Sequence, residues 1–244
     1  MKDIYESFAY DYDEFGEIQA YLGSEREFFE KLCAAYDIKS ILDCACGTGQ
    51  HLYLFSEIGL NVCGSDCSKS MLDVAKRNLN KLGKQVELCQ CDFRFLEQVH
   101  SNKYDAIACL TTSLPHLHTD EDLITALKSM RRRLNRNGIL VLTQGTTHAT
   151  LKLPSIEVVV NRDDFSRIFV KEHTKEFQTV HVLDLYHTEK RRESNQYEIV
   201  YRIILDEDYK RLLSFAGFTD IKIYGDYSFA PYDIDSKRLI VVAR

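Results

Sequence analysis

The stretch Ile41-Leu42-Asp43-Cys44-Ala45-Cys46-Gly47-Thr48-Gly49-Gln50-His51-Leu52, ILDCACGTGQHL in one-letter code, sets two glycines between an apolar run and the start of a helical pattern. Gly47 and Gly49 let backbone approach a ligand closely, and the helix that follows turns its free N–H groups and positive end to the same point. A dinucleotide fingerprint wants Gly or Ala where this chain has Leu52, which counts against a pyrophosphate ligand.

Working outward, the pattern alternates. SERE, Ser24 to Glu27, reads as a capping box opening a helix that runs to about Asp37, with Phe28, Phe29, Leu32 and Tyr36 on one face. SILDC is a short buried strand, HLYLFSEIG a helix closed by Gly59, and NVCGSD a second strand. SKSMLDVAKRNLNKLG is an amphipathic helix with Ser68 as cap and Gly83 past its end. QVELCQCD and KYDAIACL give the third and fourth strands, TDEDLITALKSMRRRL a helix and GILVLTQ the fifth strand. Strands separated by helices imply right-handed crossovers, and hence an α/β, Rossmann-like doubly wound, mostly parallel sheet.

After Gln144 the runs RIFVKEHTKEF, TVHVLDLYHT and QYEIVYRIIL suit a half-buried pleated surface, so an antiparallel insertion of three or four strands is expected. Asp206 to Ala216 returns to helix, Gly217 ends it, and FTDIKIYGDY with RLIVVAR supplies two last strands. The expected organisation is one domain. An arm and cofactor-binding core occupy residues 1–145, a substrate-covering β insertion 146–205, and a helix with strands completing the core sheet 206–244.

The 244 residues carry 31 Lys and Arg against 37 Asp and Glu, a net charge of −6, which disfavours a nucleic-acid partner. Arg131, Arg132, Arg133 and Arg136 form a local basic cluster, but at a helix end, where the dipole favours cations. No apolar run approaches the ~20 residues that span a bilayer. No secretory pattern opens the chain, so the expectation is a cytoplasmic protein, with no membrane partner and its eight cysteines reduced.

Asp43, Asp66 and Asp92 each stand at a predicted strand end. Capping and turn formation are the bland role for such residues. In a parallel sheet, however, the three ends share one rim and converge on one crevice. Asp66 suits ribose hydroxyls, Asp92 with Phe93 an adenine, and Asp43 an ammonium group. Three carboxylates repel a pyrophosphate and favour a zwitterion bearing a sulfonium.

These residues carry a resemblance. LDCACGTG, GSDCSKSMLDVAKRN, CQCDF, YDAIACL and LKSMRRRLNRNGILVLTQ, in that order, resemble the motifs of class I S-adenosylmethionine-dependent methyltransferases over residues 25–145, and LLSFAGFTDIKIY resumes the match. The resemblance implies a seven-stranded sheet with a reversed C-terminal hairpin. CLTTSLPHL and the β-rich insertion look most like glycine/sarcosine and sugar-amine N-methyltransferases. It implies S-adenosylmethionine as cofactor, contacted by Asp43, Ala45, Gly47, Gly49, Asp66, Cys67, Met71, Asp92, Phe93, Leu110 and His116. Thr111 and Thr112 stand where the glycine enzyme has Gly-Asn. The implied reaction is methyl transfer to a small-molecule acceptor, most simply an amine. An oxygen acceptor, with His116 or His148 as base, is one alternative. A nicotinamide-dependent oxidoreductase and a non-catalytic S-adenosylmethionine-binding protein are the others.

His116 is the catalytic candidate, as cofactor contact first and proton acceptor second. Tyr12, Tyr186 and Tyr201 are the substrate-binding candidates, with Tyr224, Tyr227 and Tyr232 also able to line a pocket, and Arg162, Arg167 and Arg202 are candidate partners for an acidic substrate. Tyr5, Tyr10 and Tyr12 mark the N-terminal segment either as a frayed arm or as a lid whose rings attract a cation. The strand cysteines alternate as small apolar fillers rather than as a zinc set, so no metal is expected, and the chain is expected as monomer or homodimer.

Overall fold

The computed structural model describes residues 5–15, 23–189 and 191–244, with the side chains of Phe15 and Ser24 outside the description. The expected Ser24 cap therefore lies outside the described residues. The central sheet has seven strands: β1 (Ser40–Asp43), β2 (Asn61–Asp66), β3 (Glu87–Gln90), β4 (Tyr104–Cys109), β5 (Leu134–Gln144), β10 (Ile221–Tyr224) and β11 (Leu239–Ala243). Their spatial order is β10-β11-β5-β4-β1-β2-β3. β1 to β5 are parallel, while β11 runs antiparallel to both β5 and β10. This is the doubly wound sheet with reversed hairpin that the sequence implied. The carboxyl ends of β1, β2, β3 and β4 line one rim.

Helices α2 (Gly23–Tyr36), α3 (Gln50–Glu57), α4 (Lys69–Lys81), α5 (Asp120–Arg133) and α6 (Asp206–Ala216) accompany the sheet. Their boundaries follow local chemistry. The Ser68 hydroxyl accepts from the Met71 amide and starts α4, Thr119 accepts from Asp122 N at 3.2 Å and starts α5, and Gly217 at φ 93° stops α6. α5 carries three acids in its first turn and Arg131, Arg132 and Arg133 in its last, matching its dipole. Arg132 pairs with Glu97 and Arg133 donates to the His100 and Ser101 carbonyls, so part of the basic cluster is engaged in packing α5.

Leu52, the residue that breaks the dinucleotide fingerprint, is fully buried, and a Cβ on Gly64 would lie 2.6 Å from its side chain. The close helix-to-strand approach that a third glycine gives in other turns is supplied here from β2.

The second sheet is antiparallel and has four strands, the upper end of the expectation: β6 (Ile156–Asn161), β7 (Phe165–His173), β8 (Phe177–Tyr186) and β9 (Ser194–Arg202), in that order. β8 alternates strictly, with Gln178, Val180, Val182, Asp184 and Tyr186 on its buried face. Gln144, at the end of β5, anchors the junction: its amide donates to the Thr146 and Ile204 carbonyls and its oxygen accepts from Tyr209.

Between the two sheets lies α1 (Tyr5–Tyr12), followed by a 3-10 turn at Asp13–Phe15. The N-terminal segment is thus helical and docked rather than frayed. Phe8 is buried with Val180, Val182 and Ile199 of the second sheet, and Ala9 with Met71 and Val74 of α4. Arg167 of β7 forms a fully buried ion pair with Asp184 at 2.6 Å and donates to the main-chain carbonyls of Asp11 and Tyr12. The Asp11 carboxylate accepts from Tyr186 Oη, Asn195 Nδ2 and Tyr197 Oη at 2.7 to 2.8 Å.

Candidate functional site

The glycine turn is built by its neighbours. Gly47 sits at φ 50° and Gly49 at φ 89°, backbone that a side chain resists. Gly47 N donates to Asp66 at 2.9 Å, and Ser68 N donates to the other oxygen of the same carboxylate at 2.9 Å. Cys91 N donates to the Asp66 carbonyl, which carries the rim on to Asp92. Gly47, Asp66 and Asp92 therefore meet at the carboxyl edge of the parallel strands. Space is open on the Gly47 side, where a built Cβ would meet nothing within 4 Å, whereas at Gly49 it would press on Ala75 at 3.3 Å.

Asp43 is 1% exposed and accepts from Ala45 N at 3.2 Å. Burial is the dominant influence and lifts its carboxyl to about 6, against the pull of His51 and the Ala45 amide and with some help from Asp66. A folded value above the unfolded one means stability is present at acid pH and is lost as pH rises through the interval from about 4 to 6. Asp43→Asn keeps the acceptor for Ala45 and removes the buried charge. We expect it to raise unfolding free energy by about 2 kcal/mol at pH 7.5, with the gain shrinking toward pH 4, measured by urea denaturation across pH.

Asp92 is less open to a ligand than its position suggests. Oδ2 accepts from Arg94 Nε at 3.0 Å and Nη2 at 2.6 Å, and Oδ1 accepts from Arg94 Nε at 3.1 Å and from Arg94 N at 2.9 Å. Arg94 is tied on to Asp122. Phe93 is half-buried beside it, Met71 is buried under α1, Cys67 is exposed just past Asp66, and Leu110 is buried at the end of β4.

Beyond β4 the chain turns sharply. Thr111 and Thr112 lie at φ 53° and 68°, left-handed backbone that β-branched residues rarely adopt. The turn is held by Thr143 of β5, whose hydroxyl accepts from Thr111 N at 2.9 Å and whose carbonyl accepts from Thr112 N at 2.8 Å. Strain of this sort persists where surrounding structure fixes it, and gathers at functional positions.

His116 follows on a short 3-10 turn, Leu114–His116. Its Nε2 lies 2.8 Å from the Tyr5 hydroxyl, and its ring packs on Tyr201 with centroids 4.9 Å apart. Burial pushes the imidazole down to about 4, with His118 adding to the effect, so it is neutral at physiological pH. Tyr5, Tyr12 and Tyr201 are all pushed up, burial first, and keep their protons. Tyr12 hydrogen-bonds Thr111 and feels the Asp66 charge. Asp13 accepts from Thr48 Oγ1 and from Asn78 Nδ2, both at 2.6 Å. α1 and its 3-10 turn thus pack against the rim, where Tyr5, Tyr12, His116 and Tyr201 form one buried cluster and Tyr5 and Tyr12 feel the Asp66 charge.

Tyr186 differs in setting from Tyr12 and Tyr201. Its hydroxyl is engaged by Asp11, and Arg191 stacks on its ring at 3.4 Å. Arg162 pairs with Glu14, Arg167 with Asp184 and Arg202 with Asp120, so all three arginine candidates hold protein carboxylates. His148 faces Asp206, and His118 is exposed against the Val200 carbonyl. Sequence reasoning missed Tyr5 as the partner of His116, and Glu25 bonded to His51 behind the glycine turn; no spacing rule links residues so far apart.

Residues 41–138 match the family model of a methyltransferase domain. The match runs from β1 to the start of β5 in the seven-stranded sheet. Among individual proteins, the chain is similar to the glycine/sarcosine N-methyltransferase of Parasynechococcus marenigrum, 33% identical over 58% of this chain and 50% of that one. The alignment thus spans about half of that relative's length. It is also 29% identical to the glycine/sarcosine N-methyltransferase of Aphanothece halophytica, over 100% of this chain and 90% of that one. Of solved structures, an S-adenosylmethionine-dependent methyltransferase from Clostridium acetobutylicum superposes with a TM-score of 0.81 at 19% identity, covering 99% of both chains. The donor of this class fits the residues present. The open space at Gly47, the Asp66 carboxylate beside it and the buried Asp43 are chemically compatible with a cationic nucleoside.

Proposed function

We propose that the protein transfers a methyl group from S-adenosylmethionine to the amine of a small molecule. The observation that carries this reading is the direct bond between the Gly47 amide and the Asp66 carboxylate, beside the buried cluster of Tyr5, Tyr12, His116 and Tyr201. Gly47 and Gly49 would admit the amino-acid tail, Asp66 the ribose, and the Asp92–Phe93 turn the adenine, with Asp43 toward the ammonium and Leu110 and His116 near the reacting methyl. Bound there, S-adenosylmethionine supplies an electrophilic methyl group on a sulfonium.

Transfer is a displacement at carbon, for which alignment alone can contribute roughly 7–11 kcal/mol. A neutral amine attacks unaided and loses its proton afterwards. Tyr5, Tyr12, His116 and Tyr201 would orient the acceptor and exclude water, and the second sheet, residues 146–205, would cover it. The full chain would act as one domain in the cytoplasm, where its thiols stay reduced. The relatives named for glycine and sarcosine support an amine as acceptor.

The test is methyl transfer to a panel of small amines and hydroxyl compounds, followed by product mass. Transfer only to oxygen, or binding without transfer to any compound, would overturn the reading. With His116 neutral above about pH 4, kcat/KM for an amine should show no inflection near 6.5. The rise should instead follow the acceptor's own amine. An inflection near 6.5 that vanishes in His116→Asn would make His116 a general base.

A further inference from the structure

The four arginines between the end of α5 and the start of β5 do not share one role. Arg132 pairs with Glu97, and Arg133 donates to the His100 and Ser101 carbonyls. Arg131 and Arg136 are left: among the described residues neither makes a side-chain hydrogen bond or an ion pair. Both line a cavity of about 210 Å³ together with Arg244, which follows β11. The cavity lies where β5 begins and β11 ends, on the opposite rim of the sheet from Gly47 and Asp66.

Local chemistry sets the three guanidinium groups there. Arg131 lies across Gly217, where a Cβ would meet its guanidinium carbon at 3.2 Å. Arg136 stands on a bulge of β5, where Leu134 pairs with Tyr104 but Ile139 already with Ala106, and the Asn135 amide pins that bulge to Asp105 at 2.7 Å. Arg244 is placed by its main chain, which exchanges hydrogen bonds with Thr219 and Asp220, while its side chain reaches the Asp220 carboxylate only at 3.5 Å.

The C-terminal end of α5 carries roughly half a unit of negative charge, which offsets part of one guanidinium. Three cations on one concave wall repel each other and draw in a counter-ion. A carboxylate offers two oxygens and one charge. A phosphate monoester offers three terminal oxygens and up to about two charges, which matches three planar forks better. Leu134 and Phe218, both buried, give the hollow an apolar side. Its volume is below the ~300–1,000 Å³ of sites that enclose a whole drug-sized ligand, so a small molecule or a single group fits.

We propose that Arg131, Arg136 and Arg244 bind a phosphate group, carried by a small molecule or free as the inorganic ion, at a site separate from the methyl-transfer crevice. Isothermal titration of the full chain with glycerol 3-phosphate tests this, with glycerol, inorganic phosphate and a single-stranded oligonucleotide alongside. Glycerol 3-phosphate should bind and glycerol should not. Arg136→Gln, at an exposed position, should weaken glycerol 3-phosphate at least about tenfold, and Arg131→Gln combined with it about 100-fold. Arg136→Lys should keep part of the binding. Arg132→Gln removes a charge from the same helix turn outside the cavity and should change affinity by less than about twofold. Tighter binding of glycerol 3-phosphate than of inorganic phosphate assigns the site to an ester, and equal affinity assigns it to the free ion. A wild-type chain that binds neither would overturn the proposal. So would equal losses in Arg132→Gln and Arg136→Gln, which would reduce the binding to the general field of the helix end. Preference for the oligonucleotide would make the surface a polyanion contact instead.

Discussion

Asp66→Ala is expected to raise the dissociation constant for S-adenosylhomocysteine by about 100-fold or more. The carboxylate holds the amides of Gly47 and Ser68, so its loss loosens the glycine turn and the start of α4 together. It would also remove the proposed acceptor for ribose hydroxyls, and charge-assisted hydrogen bonds contribute about 1.5–3 kcal/mol each. Asp92→Asn is the informative contrast, because Asp92 is bound to Arg94 and should matter less to the ligand. Isothermal titration giving Asp66→Ala the wild-type affinity would remove Asp66 from the site.

Arg167→Ala should lower unfolding free energy by about 3–5 kcal/mol, because it strands the Asp184 carboxylate in a fully buried position. It also strips the Asp11 and Tyr12 carbonyls of their donors. Arg167→Met combined with Asp184→Leu should recover most of that stability, since a packed apolar pair can replace a buried ion pair at little cost. The double variant still lacks the bonds to α1, so methyl transfer should stay slow. Urea denaturation showing a loss below about 1 kcal/mol for Arg167→Ala would deny the ion pair its structural weight.

The features legible in the sequence are those set by local chemistry. β2 and α6 fall on the residues expected, the helix because its apolar stripe and the terminal Gly217 each act within one turn of chain. The rim of acids was legible because parallel topology forces strand ends together. α1 was not legible: Phe8 faces the second sheet while Ala9 faces α4, so the helix presents no single apolar stripe. β6 hid for a related reason, since only Val160 of that strand is buried. The pairings of Asp92 with Arg94 and of Glu25 with His51 depend on side-chain direction and on tertiary packing, which spacing does not encode. Tyr186 shows the limit from the other side. Its sheet was foreseen, but Asp11, which occupies its hydroxyl, comes from a segment 175 residues away.

An eight-residue helix fastened on two flanks also decides how the crevice can be entered. Among the described residues, Asp13 accepts from Thr48 and Asn78 on the glycine-turn side, while on the side of the four-stranded sheet Arg167 donates two bonds, Asp11 accepts three and Glu14 accepts from Arg162. The less bonded seam is the one beside Gly47 and Asp66, where the proposed function would seat the nucleoside. Traffic in and out would part that seam first, with α1 travelling as cargo of the upper sheet, so the pace of turnover would be set by an unfastening step.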